Sequence, residues 1–166
     1  MDRYLDDEDR MFRDAVRDWV TAEFPKDWCR ELERREHEFP HAFWDKLTAF
    51  GAHGIGIPEE FGGQGGTIVT QALFARELAR TAAGLGWVWG VTSFSGSKAI
   101  RFCGDEEQQQ RFLPKIAAGE LKTAMAFSEP GGGTDLLGGM KTRAERVEGG
   151  WLINGEKIWS TCANVA

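Results

Sequence analysis

The stretch Gly119-Glu-Leu-Lys-Thr-Ala-Met-Ala-Phe-Ser-Glu-Pro-Gly-Gly-Gly-Thr-Asp135 divides the chain into two regimes. Before it, apolar residues recur at helical spacing; after it, the pattern becomes β-like and rich in Gly and Thr. Within it, Ala124-Met-Ala-Phe-Ser128 reads as a buried strand. The Pro-Gly-Gly-Gly run that follows lets the backbone fold tightly with successive N–H groups exposed. Such a run can form an anion-binding nest, with the hydroxyls of Ser128 and Thr134 as further donors. A plain glycine-rich turn between strand and loop accounts for the same residues.

Upstream, acidic residues at Asp6 and Asp7 suit a helix start, and Phe12, Val16, Trp19 and Val20 form one inward stripe that Pro25 stops. The charged run Glu31 to Glu38 reads as a solvated helix face. A second helix is predicted from Pro40 through Phe43, Leu47 and Phe50, with Gly51 as its stop. Gly54 to Gly66 is too rich in glycine for regular structure. A third helix, Thr67 to Ala83, places Ile68, Ala72, Ala75 and Ala79 on one face, small residues that suit close helix packing. The apolar stretch Trp87–Phe102, ended by Gly104, reads as a helix buried on most sides. Asp105 and Gln108 have the spacing of a capping box for a fifth helix, which Pro114 is expected to split into two short pieces.

Downstream, Met140 to Val147 alternates loosely, and Gly149-Gly150 looks like a turn. Trp151–Asn154 and Glu156–Thr161 read as strands around Asn154-Gly155, a strong hairpin signal. So few strands leave exposed edges and an unfinished core, so the sheet is expected to be truncated or completed by a partner.

The bulk properties narrow the function. A chain of 166 residues suits one ordinary domain, or one domain and a fragment of another, and 42% hydrophobic with 28% charged residues describes a soluble globular protein. A net charge of -6 without a basic cluster argues against nucleic acid. Cys29, Cys103 and Cys162 are scattered, which suggests neither a zinc site nor a disulfide framework and fits reduced thiols in the cytoplasm. The start of the chain lacks the order of a signal peptide, and the longest apolar stretch is broken by Gly, Ser and Lys98, so no membrane span is expected. His37, His41 and His53 have no metal-ligand spacing and read as surface or satisfied core positions. There is no G-x-G-x-x-G, P-loop, G-x-S-x-G or H-E-x-x-H. A nucleotide site here has to be of another kind.

A second segment, Asn154-Gly-Glu-Lys-Ile-Trp-Ser-Thr161, offers a tryptophan followed by two hydroxyls, which could present a π-face and donors to a flat heterocycle. Standing alone, Trp159 could equally be core. Taken with Phe127–Asp135, the pair closely resembles the paired signatures of the acyl-CoA dehydrogenase family. Gly54–Gly66 resembles that family's loop after its second helix, and Gly104–Glu120 is similar to its approach to the β domain. The resemblance covers nearly the whole chain in order.

The resemblance implies an α+β, mainly α fold: an up-and-down helical bundle over residues 1–121, then the first strands of an incomplete antiparallel β-barrel-like domain over 122–166. It implies FAD as cofactor, with Met125, Ala126, Phe127 and Ser128 at the flavin ring and Gly133 and Thr134 near the pyrophosphate, Thr134 also near the entering thioester. Trp159 would pack on the flavin face, Ser160 would contribute its backbone, and Thr161 would bond near the reactive nitrogen. The implied reaction is α,β-desaturation of an acyl-CoA thioester, a carboxylate base taking the α proton while the β hydride passes to the flavin. That base would lie beyond residue 166; Glu129 matches a structural residue of the loop. The region Trp87–Gly96 resembles the lining of the acyl pocket. A homo-oligomer, dimer or tetramer, and electron-transferring flavoprotein as electron acceptor are also implied. Departures exist: Ser128 and Thr134 exchange the family's usual Thr and Ser, and Ser160-Thr161-Cys162-Ala163 replaces its usual Ile-Thr-Asn-Gly, which bears on substrate class more than on cofactor. An acyl-CoA oxidase or flavin monooxygenase of the same fold, or a non-catalytic helical interaction module, would share these features.

Overall fold

The computed structural model describes residues 2–35, 38–81 and 83–166. The chain is mostly helical, with one two-stranded antiparallel sheet near its end. Helix α1, Asp7–Glu23, is capped by the Asp6 carboxylate, which accepts from Asp9 N at 2.8 Å. Pro25 ends it and also opens α2, Lys26–Glu33, a separate helix that the apolar periodicity did not reveal. Helix α3, His41–Phe50, stops at Gly51, whose φ of 77° is the left-handed conformation that glycine takes freely. Helix α4, Ile68–Ala79, begins at a Thr67–Thr70 capping box. His37 lies outside the described residues.

The stripe predicted for α4 is rotated. Ile68, Ala72 and Ala79 are exposed, and Gln71, Phe74, Glu77 and Leu78 face inward. Two polar side chains displace the alanines because tertiary partners await them. Gln71 donates to the Ile55 carbonyl at 2.9 Å, and Glu77 meets Arg17 of α1.

From Ala83 to Cys103 the backbone stays helical, as α5 (Ala83–Trp89), a π turn (Gly90–Gly96) and α6 (Ser97–Cys103). It is less buried than its composition suggests, since Trp87 and Phe102 are exposed. Helix α7, Glu106–Ala117, has the expected Asp105–Gln108 capping box, yet Pro114 does not split it. Leu113 and Ile116, on either side of the proline, are fully buried against Ile57 and Phe61, and that packing holds the last turn helical. The main core gathers Val16, Val20, Phe24, Phe43, Leu47, Phe74, Leu78 and Trp89.

The β region departs most from expectation. Strands β1, Arg143–Val147, and β2, Gly150–Asn154, pair antiparallel, with every residue of both exposed. The chain reverses at Glu148-Gly149, close to the expected Gly149-Gly150 turn, and not at Asn154-Gly155. Gly155 has φ 153°, and a Cβ there would lie 2.2 Å from Thr142 Oγ1, so glycine is needed for close approach. Neither Ala124–Ser128 nor Glu156–Thr161 forms a strand. They lie side by side but share one backbone bond, Ile158 N to Ser128 O at 2.9 Å, too few for a ladder.

Among the described residues His53 is the histidine in the core, stacked 4.0 Å from the Trp44 ring, with Nδ1 2.8 Å from Ser93 Oγ. Burial, with the nearby Lys122 charge, lowers its pKa to about 4, against the opposing effect of a backbone hydrogen bond at Trp44. The folded chain therefore resists protonation that the unfolded chain accepts below about 6.5. The contribution is intact above that pH and declines as pH falls towards 4. The expected loss is about 3 kcal/mol. Urea midpoints measured from pH 7 to pH 4 should fall more steeply for the native chain than for His53→Gln; parallel curves would refute the assignment.

Candidate functional site

The two segments singled out by sequence meet through the Ile158–Ser128 bond. Together they form a shelf whose large apolar side chains face solvent: Met125 is 41% exposed, Phe127 48% and Trp159 86%. Trp159 also has φ 59°, an uncommon conformation for a bulky residue and a costly one. A patch of exposed apolar side chains, one of them an aromatic on a strained backbone, is what a surface awaiting a flat apolar ligand would present. Ala126 is exposed as well, while Ser128, Ser160 and Thr161 are half-buried within the same two runs.

Glu129 holds the shelf together. Its carboxylate, 6% exposed, accepts from Lys141 N at 2.6 Å, from Thr142 N at 2.9 Å and from Lys157 Nζ at 2.8 Å. Lys157 also donates to the Phe127 carbonyl at 3.1 Å. One buried anion thus ties the first segment to the approach to β1 and to the second segment. The hydrogen bond from Lys157, then those from Thr142 and Lys141, hold its pKa well below the usual carboxylate range. A carboxylate so committed cannot serve as a general base near neutral pH. The structural role implied by sequence fits, and Lys157, within the Asn154–Thr161 segment itself, is the partner that sequence reasoning missed.

The glycine run does not form a nest. None of Gly131, Gly132 and Gly133 takes the positive φ that alternation would need, and Gly132 N closes a turn onto Glu129 O at 3.0 Å. Gly133 and Thr134 are exposed. Asp135 caps the short helix α8, Leu136–Gly139, accepting from Gly138 N at 3.0 Å. A cation stands near instead: Lys141 Nζ lies 3.8 Å from where a Gly131 Cβ would sit. Exposed hydroxyl, open backbone and nearby ammonium suit an anionic group.

The connector before the shelf is fastened to the helical body. Trp44 Nε1 donates to Gly119 O at 2.9 Å, and the Lys122 ammonium lies over the rings of Trp44 and Phe39, at 4.9 and 5.2 Å. Beside the shelf, Thr161, Cys162 and Asn164 border a cavity of about 450 Å³ with Val88 of α5 and with Phe39 and Pro40. Val88 of α5 therefore stands beside the end of the second segment. Among the described residues no group of His, Cys, Asp and Glu could hold a metal ion, and no helix is long and apolar enough to cross a membrane.

Comparison with known proteins identifies relatives along nearly the whole chain. The family described as acyl-CoA dehydrogenase, N-terminal domain, matches residues 6–120, and the acyl-CoA dehydrogenase middle domain matches residues 124–166. An acyl-CoA dehydrogenase of Bacillus subtilis (strain 168) is 32% identical over 163 residues, 98% of this chain and 42% of the relative. The caffeyl-CoA reductase-Etf complex subunit CarC of Acetobacterium woodii is 35% identical over 162 residues, 96% of this chain and 42% of that protein. Among solved structures, an acyl-CoA dehydrogenase of Bacillus anthracis complexed with FAD superposes with a TM-score of 0.82 at 32% identity, covering 98% of this chain and 28% of that one. The chain thus spans about two fifths of the length of the curated relatives it matches.

Proposed function

Because the chain belongs to the acyl-CoA dehydrogenase family, we propose that it supplies one wall of an FAD site in an enzyme that desaturates acyl-CoA thioesters between the α and β carbons. Residues 1–121 would be the helical domain and 122–166 the start of the flavin-binding β domain. The observation that carries this reading is the shelf: Met125, Phe127 and Trp159 exposed on two runs joined at Ser128 and Ile158.

These residues fit the group. Apolar side chains would cover the flat ring, the half-buried hydroxyls of Ser128 and Thr161 and the Ser160 backbone would bond its polar edge, and Gly133, Thr134 and Lys141 would receive the pyrophosphate. When bound, FAD supplies the hydride acceptor. The chain's part is to orient: Trp159 keeps water from one face, and Glu129 keeps Lys157 and the two runs in register. Thr134 would also meet the thioester end of the substrate. The carboxylate that takes the α proton is not assigned to any residue here, and a protein of the relatives' length would supply it. We place the intact protein in the cytoplasm as a dimer or tetramer. The Etf complex named for the Acetobacterium relative supports electron-transferring flavoprotein as a partner, and we propose it as the electron acceptor.

The test is a titration with FAD read by visible absorbance, on the chain and on a form of the relatives' length. Aromatic stacking is worth about 1 kcal/mol, so Trp159→Ala should weaken FAD binding roughly fivefold and shift the flavin band. Unchanged affinity and spectrum would remove Trp159 from the site.

A further inference from the structure

The long helix through α5 and α6 widens into a π turn between two glycines, Gly90 and Gly96. Such turns recur at functional sites because they redirect side chains and free backbone groups. Here the turn has a partner. Thr123, in the connector 31 residues away, donates its amide to Thr92 Oγ1 at 3.0 Å. Its own hydroxyl lies 3.2 Å from the Val91 carbonyl. Val91 and Thr92 are buried and Thr123 is half-buried, so water competes only in part for these contacts. Gly96 completes the fit, since a Cβ there would lie 2.1 Å from Thr123 Oγ1. A one-turn helix widening, a missing side chain and two threonines thus form a single clasp.

We propose that Thr92 and Thr123 are positioning residues: the π turn is a lock that fixes where the shelf Met125–Ser128 stands relative to α5. The clasp lies two residues before Met125, at the point where the chain leaves the helical body. Before it, Trp44 and Lys122 fasten the connector less directionally, through one carbonyl and two ring faces. After it, the next described ties to another segment are the Lys157–Phe127 and Ile158–Ser128 bonds and the Glu129 network. The shelf therefore inherits its placement from Thr123. The consequence for FAD rests on the proposed flavin reading; the lock itself does not.

The test compares Thr92→Val, which removes the acceptor, with Thr92→Ser, which keeps it, and with Gly96→Ala. A lost hydrogen bond of ordinary worth should speed exchange of the Thr123 amide roughly fivefold in Thr92→Val and Gly96→Ala. If the lock reaches the shelf, the Ile158 amide, bonded to Ser128 O, loses protection with it, and Thr92→Ser keeps both at native rates. In parallel, the valine variant should bind FAD more weakly with an altered flavin band, and the serine variant should match the native chain. Native exchange at Thr123 or at Ile158 in Thr92→Val would overturn the lock. Faster exchange beside an unchanged flavin affinity and spectrum would overturn its role in positioning the flavin wall. Failure of the native protein to take FAD in any form would remove the flavin reading alone, and the two amides would still decide on the lock.

Discussion

Replacing Glu77 with alanine is expected to destabilise the fold by about 3–5 kcal/mol, read as a fall in the urea midpoint at constant slope. The Glu77 side chain is fully buried. Arg17 of α1 grips it as a fork, Nε at 3.0 Å and a terminal nitrogen at 3.1 Å, and Arg80 and Arg76 approach within 3.3 and 3.8 Å. Burial alone would raise its pKa; the Arg17 hydrogen bond and the charges of Arg17, Arg80 and Arg76 outweigh that and lower it. Truncation leaves three guanidiniums facing a hole between α1 and α4. Removing both partners, as Arg17→Met with Glu77→Leu, should be milder, because leucine refills the hole and fewer like charges face it. A loss below about 1 kcal/mol for Glu77→Ala would mean water already reaches the pair. The lowered pKa also sets a direction. This contribution is present above the ordinary carboxylate range and fades as pH drops below it.

Trp89→Ala should cost about 3–5 kcal/mol as well, by a different route. Trp89 is 1% exposed, its ring lies 4.8 Å from that of Phe74, and its Nε1 donates to the Ala52 carbonyl at 3.1 Å. Alanine opens a cavity at the centre of the core and leaves that buried carbonyl without its donor. Trp89→Phe refills most of the volume but not the hydrogen bond, and should cost about 1–3 kcal/mol. Equal losses for the two variants would show that the hydrogen bond, not the ring, carries the effect. Since Trp89 immediately precedes the π turn, its packing also seats the helix that bears Thr92.

The elements read correctly from sequence are those whose signals are local. Asp6 caps α1, Asp105 and Gln108 cap α7, and Gly51 ends α3, because each device closes within a few residues on backbone groups the helix itself leaves open. Misreadings fall where a distant partner decides. The alanines of α4 looked like an inward stripe until Glu77 found Arg17 60 residues away and Gln71 found Ile55. Pro114 looked like a break until Leu113 and Ile116 were buried. Asn154-Gly155 looked like a hairpin turn, whereas the reversal sits at Glu148-Gly149 and Gly155 exists to admit Thr142.

For the site, the divide is the same. Residue order alone, from Phe127-Ser-Glu-Pro-Gly-Gly-Gly-Thr-Asp135 to Asn154-Gly-Glu-Lys-Ile-Trp-Ser-Thr161, determined the family and named the residues proposed to line the flavin, because motifs record which side chains a ligand needs. It could not tell that Ala124–Ser128 and Glu156–Thr161 form no strand, that Glu129 is an ionised staple, or that a π turn holds Thr123. Those features depend on hydrogen bonds closed across 12 to 31 residues, and only the folded chain brings such groups within reach.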